Sequence, residues 1–208
     1  MDHYKILLEL VLYKIHIFLY KKVLQDTARF NAQKKVSDQS DSNTSHADTD
    51  EWKGHFTVNP QKNEYGNGVA HIIDYAITDG AGSLTATIDK GSEFTIKSKV
   101  LFHEAVWNPI FTFTFKNARG VDITGTNTRI ENTLIEPAAP GDVYVASFTQ
   151  RMNLQSGDYL LSISCTGIVD GELVVYHRLY DLLQVTVVSI KDTVGFYDMD
   201  SKAVVEKV

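Results

Sequence analysis

The chain has 208 residues, a formal net charge of −6 and 43% hydrophobic residues. That length allows one large domain, or one ordinary domain with an appendage, and the apolar content excludes collagen-like, wholly disordered and purely coiled-coil chains. The acidic balance argues against nucleic acid as a main partner, and a single cysteine, Cys165, excludes an intrachain disulfide and a cysteine-rich zinc site.

The averages conceal three compositions. All 13 Gly and all 4 Pro lie at Gly54 or beyond. Residues 1–36 carry seven Lys/Arg against three acids, a net of +4. Residues 37–52 carry five acids and no Lys or Arg, and the remainder holds 13 basic and 18 acidic residues, a net of −5.

From Tyr4 to Leu24 no Gly or Pro interrupts a run rich in Leu, Ile, Val, Lys and Tyr, which reads as a helix. Its charges fall on two nearly opposite faces, so both apolar flanks need partners. Glu9 and Lys14 sit well inside it. Each central charge costs about 2.5–3.5 kcal/mol on insertion, so a helix packed on protein is preferred to a membrane span. A signal peptide fits less well, with charges in its apolar region and no small-residue cleavage site. The expected arm covers 1–32. Residues 33–52, dominated by Ser, Asp, Asn and Thr, read as a flexible linker that cannot bury enough surface to offset its ordering entropy.

Beyond the linker the apolar period becomes two. Phe94, Ile96, Ser98, Val100 and Phe102 alternate with more polar neighbours. Phe111, Phe113 and Phe115 do the same, as do Tyr159, Leu161, Ile163 and Cys165. Each run is a strand with one face inward. Turn residues separate the runs at 78–82, 89–91, 117–120, 140–142, 156–158 and 170–172. Short strands at this spacing, without a convincing helix, predict an all-β domain over 53–208: an antiparallel, Ig-like or jelly-roll-like β-sandwich. Cys165 then reads as a buried apolar residue rather than a nucleophile.

Several chemistries have no sequence signature. There is no phosphate-binding G-x-x-x-x-G-K-[ST] loop, and Gly66-Asn67-Gly68 lacks the third glycine of a dinucleotide fingerprint. The seven His do not fall at metal-ligand spacing, and no G-x-S-x-G elbow occurs. A glycosidase pair would come from distant strands and stays open. No cofactor is expected, and a binding module leads by elimination.

An ordered set of motifs adds a family. Glu64-Tyr65-Gly66-Asn67-Gly68-Val69-Ala70-His71-Ile72 is followed by Asp79-Gly80 and Asp89-Lys90-Gly91-Ser92-Glu93. Next come Asn108-Pro109-Ile110-Phe111, Gly125-Thr126-Asn127-Thr128, Leu154-Gln155-Ser156-Gly157-Asp158-Tyr159 and Tyr180-Asp181. Over about residues 60–208 this order resembles the C-terminal carbohydrate-binding domain of Wzt-type ATP-binding subunits of polysaccharide (O-antigen) ABC exporters. The resemblance implies a β-sandwich that binds the exported glycan, in some systems at a modified chain end. It also implies a homodimer with exchanged C-terminal strands, the segment from Val194 to Val208 being the exchanged or edge piece. Family members carry an ATPase domain before the linker. This sequence does not contain one, yet Met1 to Leu8 looks like the closing helix of such an ATPase, as in a separated C-terminal portion or a product that starts within the subunit. The implied partners are the polysaccharide and the ATPase and permease subunits. The implied place is the cytoplasmic face of the inner membrane, as a peripheral protein without enzymatic activity of its own.

Sugar sites stack pyranose faces on aromatic rings and hydrogen-bond hydroxyls with planar polar groups. Six residues are candidates: Trp107, Asn127, Arg129, Tyr176, Arg178 and Tyr180. Trp107 sits just before a strand, where its ring is either exposed or part of the core. Asn127 and Arg129 lie in a polar run, as turn formers or ligands; Arg129 suits a bidentate acidic group. Alternation places Tyr176, Arg178 and Tyr180 on one face, too polar for a core, with His177 on the other. His103 reads as a polar strand end. Three alternatives stay open: an Ig-like structural or adhesive domain that binds no glycan, a tethered accessory protein anchored by residues 4–24, and a hydrolase.

Overall fold

The computed structural model describes residues 51–191 and 193–208. The expected helical arm, and the linker as far as residue 50, lie outside the described residues. No helix among the described residues is long and apolar enough to cross a membrane.

Among the described residues nine strands follow a short 3-10 turn, Trp52–His55. They are β1 (Asn63–Tyr65), β2 (Ala70–Asp79), β3 (Thr87–Asp89), β4 (Glu93–Phe102), β5 (Ile110–Asn117), β6 (Asp122–Asn127), β7 (Val143–Arg151), β8 (Gly157–Val169) and β9 (Glu172–Val188). The larger sheet runs β1-β9-β8-β5-β6, with β3 also paired to β9; the smaller runs β2-β4-β7. Every pairing is antiparallel except β3 with β9. The two sheets form the expected antiparallel sandwich.

Alternation explains the layers. Phe94, Ile96, Val100 and Phe102 of β4 face inward from the smaller sheet. Phe111, Phe113 and Phe115 of β5 and Tyr159, Leu161, Ile163 and Cys165 of β8 face them from the larger. Phe94 packs against Phe115 at 6.3 Å between ring centroids, tilted by 53°. Burial pushes the Cys165 thiol up to about 12, so it stays protonated and inert at neutral pH.

Trp52, which closes the expected linker, is held to the sandwich. Asp74 is buried and accepts N–H bonds from Trp52, Lys53 and Tyr75 at 3.2, 2.9 and 2.9 Å. Lys99 Nζ lies 3.4 Å from the same carboxylate and 4.5 Å from the Trp52 ring centre. Asp74 sits where the β2–β4 register slips, so an irregularity in β2 turns its carboxylate to the chain entering the domain.

The sandwich depends on full burial of its aromatic layer. Phe115→Ala is expected to remove about 3–5 kcal/mol of stability, whereas Val121→Ala, on an exposed turn, should stay within about 0.5 kcal/mol. Urea unfolding midpoints compared at constant slope measure both.

Candidate functional site

The outward face of the larger sheet brings together residues far apart in sequence. Tyr65 of β1 is registered with Arg178 of β9, Arg178 with Ser164 of β8, Ser164 with Thr112 of β5, and Thr112 with Asn127 of β6. Directly opposed residues share a face, so these five side chains form one row across five strands. Strand spacing of about 4.8 Å makes that row roughly 19 Å long. A second row lies beside it: Asn63 opposite Tyr180, and Ser162 opposite Thr114, which faces Gly125. Large aromatic and cationic groups stand on β1 and β9, and small hydroxyl residues on β8 and β5, where Ser162 and Ser164 are buried and Thr112 and Thr114 half-buried.

The large groups are fixed in place. Arg178 donates to the Tyr65 hydroxyl at 3.1 Å, and its guanidinium lies 5.8 Å from the centre of the Tyr65 ring. Tyr65 is 43% exposed. In the second row Lys116 Nζ sits 4.1 Å from the Tyr180 ring centre and 2.7 Å from Asp181 Oδ2. Burial opposes the Lys116 charge, but the hydrogen bond and charge of Asp181 outweigh it and hold the ammonium pKa above its usual value. Asp181 is a kink in β9 with φ of 54°. Its N–H donates to Ser162 Oγ at 2.8 Å, and its carbonyl accepts from Asn59 Nδ2 at 2.8 Å.

Three of the six sequence candidates, Asn127, Arg178 and Tyr180, therefore stand on one face. The Asn127 Oδ1 accepts the Ile130 N–H at 2.8 Å, so this residue also closes the turn after β6. Arg129 is exposed in that turn, and Trp107 is 39% exposed on the β4–β5 connection. Arg129 lies two residues beyond the end of β6, and Trp107 three residues before the start of β5. A depression of about 280 Å³ there is lined by Asn108, Pro109, Thr128 and Arg129 among others.

Tyr176 is the correction. It is 6% exposed and belongs to the hydrophobic core. Strict alternation fails because Cys165 pairs with His177 while Thr166 pairs with Val175, leaving Tyr176 as the extra residue of a β-bulge. Its ring lies over Gly167, where a Cβ would fall 2.3 Å from the tyrosine hydroxyl. The Gly66-Asn67-Gly68 segment docks on this bulge, with Asn67 and Gly68 N–H bonded to the Val175 and Tyr176 carbonyls. A Cβ at Gly66 would lie 2.1 Å from the Tyr176 carbonyl oxygen, so only glycine fits. The residues of the face that sequence reasoning missed are Tyr65 and Thr112, with the buried Ser162 and Ser164 between them. Tyr65 was visible in its motif, but its neighbours on the face depend on register.

The bulge leaves His177 pointing inward, where it joins the two sheets. Ile72 N–H of β2 donates to Nδ1 at 3.0 Å, so the neutral ring carries its proton on Nε2 and donates it to Glu64 Oε1 at 3.1 Å. His71 stacks 4.5 Å from it, and His71 in turn meets His103, just past the end of β4, edge-on at 5.4 Å. Burial, then the charge of His71, lowers the His177 pKa; Glu64 pulls the other way.

A second feature is a cleft of about 1260 Å³ between the sheets, open along β6 and β7. Phe111, Phe113 and Phe115 form one wall, and Tyr144 and Phe148 the other. Gln150 Nε2, also in its lining, is buried without a hydrogen-bond partner among the described residues. Tyr197 borders the cleft, and the chain near it is anchored: Lys90 and Lys191 each reach Asp198 at 3.0 Å. Lys191, the Asp200 N–H and Lys90, in that order, hold the Asp198 carboxyl well below the usual carboxylate range. Residues 201–208 beyond this anchor form no strand, and Val204, Val205 and Val208 are exposed. Among the described residues no group of three His, Cys, Asp or Glu is placed to hold a metal ion.

The profile of a family described as the Wzt C-terminal domain matches residues 61–199. A crystal structure of the C-terminal domain of Wzt superposes with a TM-score of 0.69 at 25% identity, covering 74% of this chain and 95% of that one. A solution structure of a CARDB domain from Pyrococcus furiosus is also similar, at a TM-score of 0.31 and 11% identity over 55% of this chain and 94% of that one. No curated protein sequence matches.

The His177 arrangement has a sign that can be measured. Its folded pKa is lowered, so as pH falls below about 6.5 the unfolded chain takes up the proton first and stability drops. The wild-type melting temperature should fall between about pH 7.5 and pH 5.5, and His177→Gln should flatten that slope. A wild-type slope no steeper than that of the variant would contradict the assignment.

Proposed function

Because the chain belongs to the Wzt C-terminal domain family, we propose that it binds a cell-surface polysaccharide, without transforming it, for export by an ABC transporter. The family ties the chain to polysaccharide ABC exporter systems, and the matched region is the part of those subunits that is not the ATPase. The glycan-binding reading rests on one observation above the others: the row Tyr65–Arg178–Ser164–Thr112–Asn127 on the outward face of the larger sheet. An aromatic ring offers an apolar platform with a polar tip. The guanidinium, the Thr112 hydroxyl and the Asn127 amide along the row supply the directional contacts a sugar needs, over the buried Ser164. A flat array about 19 Å long suits an extended polymer better than a small metabolite, which favours an enclosed pocket. Arg129, exposed in the turn after β6, extends this surface, and the exposed Trp107 on the connection into β5 is a further candidate. Tyr176 supports it from the core rather than touching the ligand.

The partners in this reading are an ATPase subunit, a permease and a second copy of the chain, at the cytoplasmic face of the membrane that houses the transporter. Two features support an exchanged homodimer. The aromatic cleft lies open between two edge strands, and such edges are templates for pairing. Val204, Val205 and Val208 stand exposed on a tail anchored only as far as Asp198.

Calorimetric titration with polysaccharide from the source organism tests the binding. The wild-type protein should bind, and Tyr65→Ala combined with Tyr180→Ala should weaken binding at least tenfold with the melting temperature little changed. Silence toward both repeat-unit and chain-end fragments would end the reading. Light scattering tests the exchange: the full chain should be dimeric, and removal of 201–208 should yield monomers. A truncated protein that stays dimeric would place the interface elsewhere.

A further inference from the structure

On the candidate face Arg178 is a fixed cation that stands outside the ion pairs of the described residues. Lys116 is paired with Asp181, Lys62 with Glu64, Lys99 with Asp74 and Lys90 with Asp198. None of the ion pairs among the described residues includes Arg178. The nearest acids along its strands are both engaged. Glu64 is turned to the opposite face, where it meets His177, and Asp181 is taken by Lys116. Arg178 is not a mobile surface side chain either, since the Tyr65 hydroxyl and ring hold it in the middle of a polar row. The ordering entropy of a long side chain has thus already been spent before any ligand arrives.

Resting on the glycan-binding reading above, we propose that Arg178 makes this face selective for glycans that carry a uronic acid. A guanidinium presents a planar fork that matches one carboxylate bidentately, while the half-buried Thr112 and the Asn127 amide farther along the row suit the ring hydroxyls of the same stretch of sugar; Ser164, buried between them, keeps the row low. The charge count favours a sugar carboxylate over a phosphate monoester. Within the row the guanidinium of Arg178 balances one negative charge, the neighbouring ammonium of Lys116 is already neutralised, and Arg129, also in none of the ion pairs among the described residues, stands outside the row in the turn after β6. It also favours a polymer with isolated acids. Residues 53–208 carry a negative balance, so a densely charged polyanion meets long-range repulsion that a sparsely charged one escapes. The selectivity is therefore local: one acid per stretch of neutral sugar, read by one arginine.

Glycan titration separates this selectivity from the broader reading. A panel of oligosaccharides bearing a single glucuronate or galacturonate is compared, each with its carboxyl-reduced counterpart and with neutral mannan and galactan fragments. The wild-type protein should bind the uronate form roughly ten- to a hundredfold more tightly than its reduced counterpart. Arg178→Gln should erase that ratio, and Arg178→Lys, which keeps the charge but loses the fork, should restore only part of it. The reduced-ligand arm uses the unaltered protein, so it stands even if a variant is poorly folded. Equal binding of acidic and reduced forms, or binding confined to neutral fragments, overturns the selectivity and leaves glycan recognition intact. Failure of every saccharide, host polysaccharide included, overturns both.

Discussion

The pairing of β8 with β9 is the constraint on which the rest of the molecule depends. These are the two longest strands, of 13 and 17 residues, and a two-residue turn joins them. Asp170 and Gly171 both have positive φ, the conformation whose twist matches that of the flanking strands. A hairpin closed this tightly would fix every side chain to its face, because one slip in register inverts them all. The protein interrupts it twice instead. One extra residue at Tyr176 re-aims His177 into the gap between the sheets. Three residues, 180–182, stand opposite Ser162 alone and turn Asp181 toward Lys116. Both interruptions flank Arg178, so they define the stretch of β9 that can present it outward.

The rest of the domain adjusts to those two irregularities. β1 is only three residues long, yet it pairs with β9 from Arg178 to Tyr180, where the second irregularity begins, and brings Tyr65 beside Arg178. The glycine that follows is required because the chain crosses the Tyr176 backbone without space for a side chain. Asn59, with its side-chain amide on the Asp181 carbonyl and its N–H on the Leu182 carbonyl, fastens the preceding segment to the second irregularity. The tyrosine–glycine motif thus has two physical causes: the glycine serves packing, and the tyrosine serves the surface.

Much of this was legible in the sequence. Period-two runs at Phe94–Phe102, Phe111–Phe115 and Tyr159–Cys165 are buried as read, and glycine- and asparagine-containing turns separate them. Cys165 is a core residue for the reason given by its neighbours. The family was legible too, through the order of short motifs rather than any single one. The face was legible only in part. Arg178 and Tyr180 stand out as polar groups on an apolar strand, but their partnership with Tyr65, Ser164, Thr112 and Asn127 is a matter of register between strands up to about 115 residues apart. Tyr176 was misread for a related reason. A bulge leaves no mark in the apolar–polar pattern, so alternation counted from Tyr180 reaches Tyr176 with the wrong parity.

The two candidate surfaces are the two faces of the same strands. Thr112 and Asn127 face outward from β5 and β6, while Phe111, Phe113 and Thr126, one residue away, line the cleft. β6 is the edge of its sheet, held on one side only by β5. An edge strand with a cleft behind it has few contacts to stiffen it, and low local contact density means low local stability. A segment inserted between β6 and β7 would supply the missing backbone partners and cover the phenylalanine wall, fixing Asn127 in line with Arg178. Occupation of the cleft would then lower the ordering cost of binding on the outward face, and by linkage a ligand on that face would strengthen occupation of the cleft. Dimerisation and glycan recognition would in that case be one coupled equilibrium, carried by the alternation of side chains along β5 and β6.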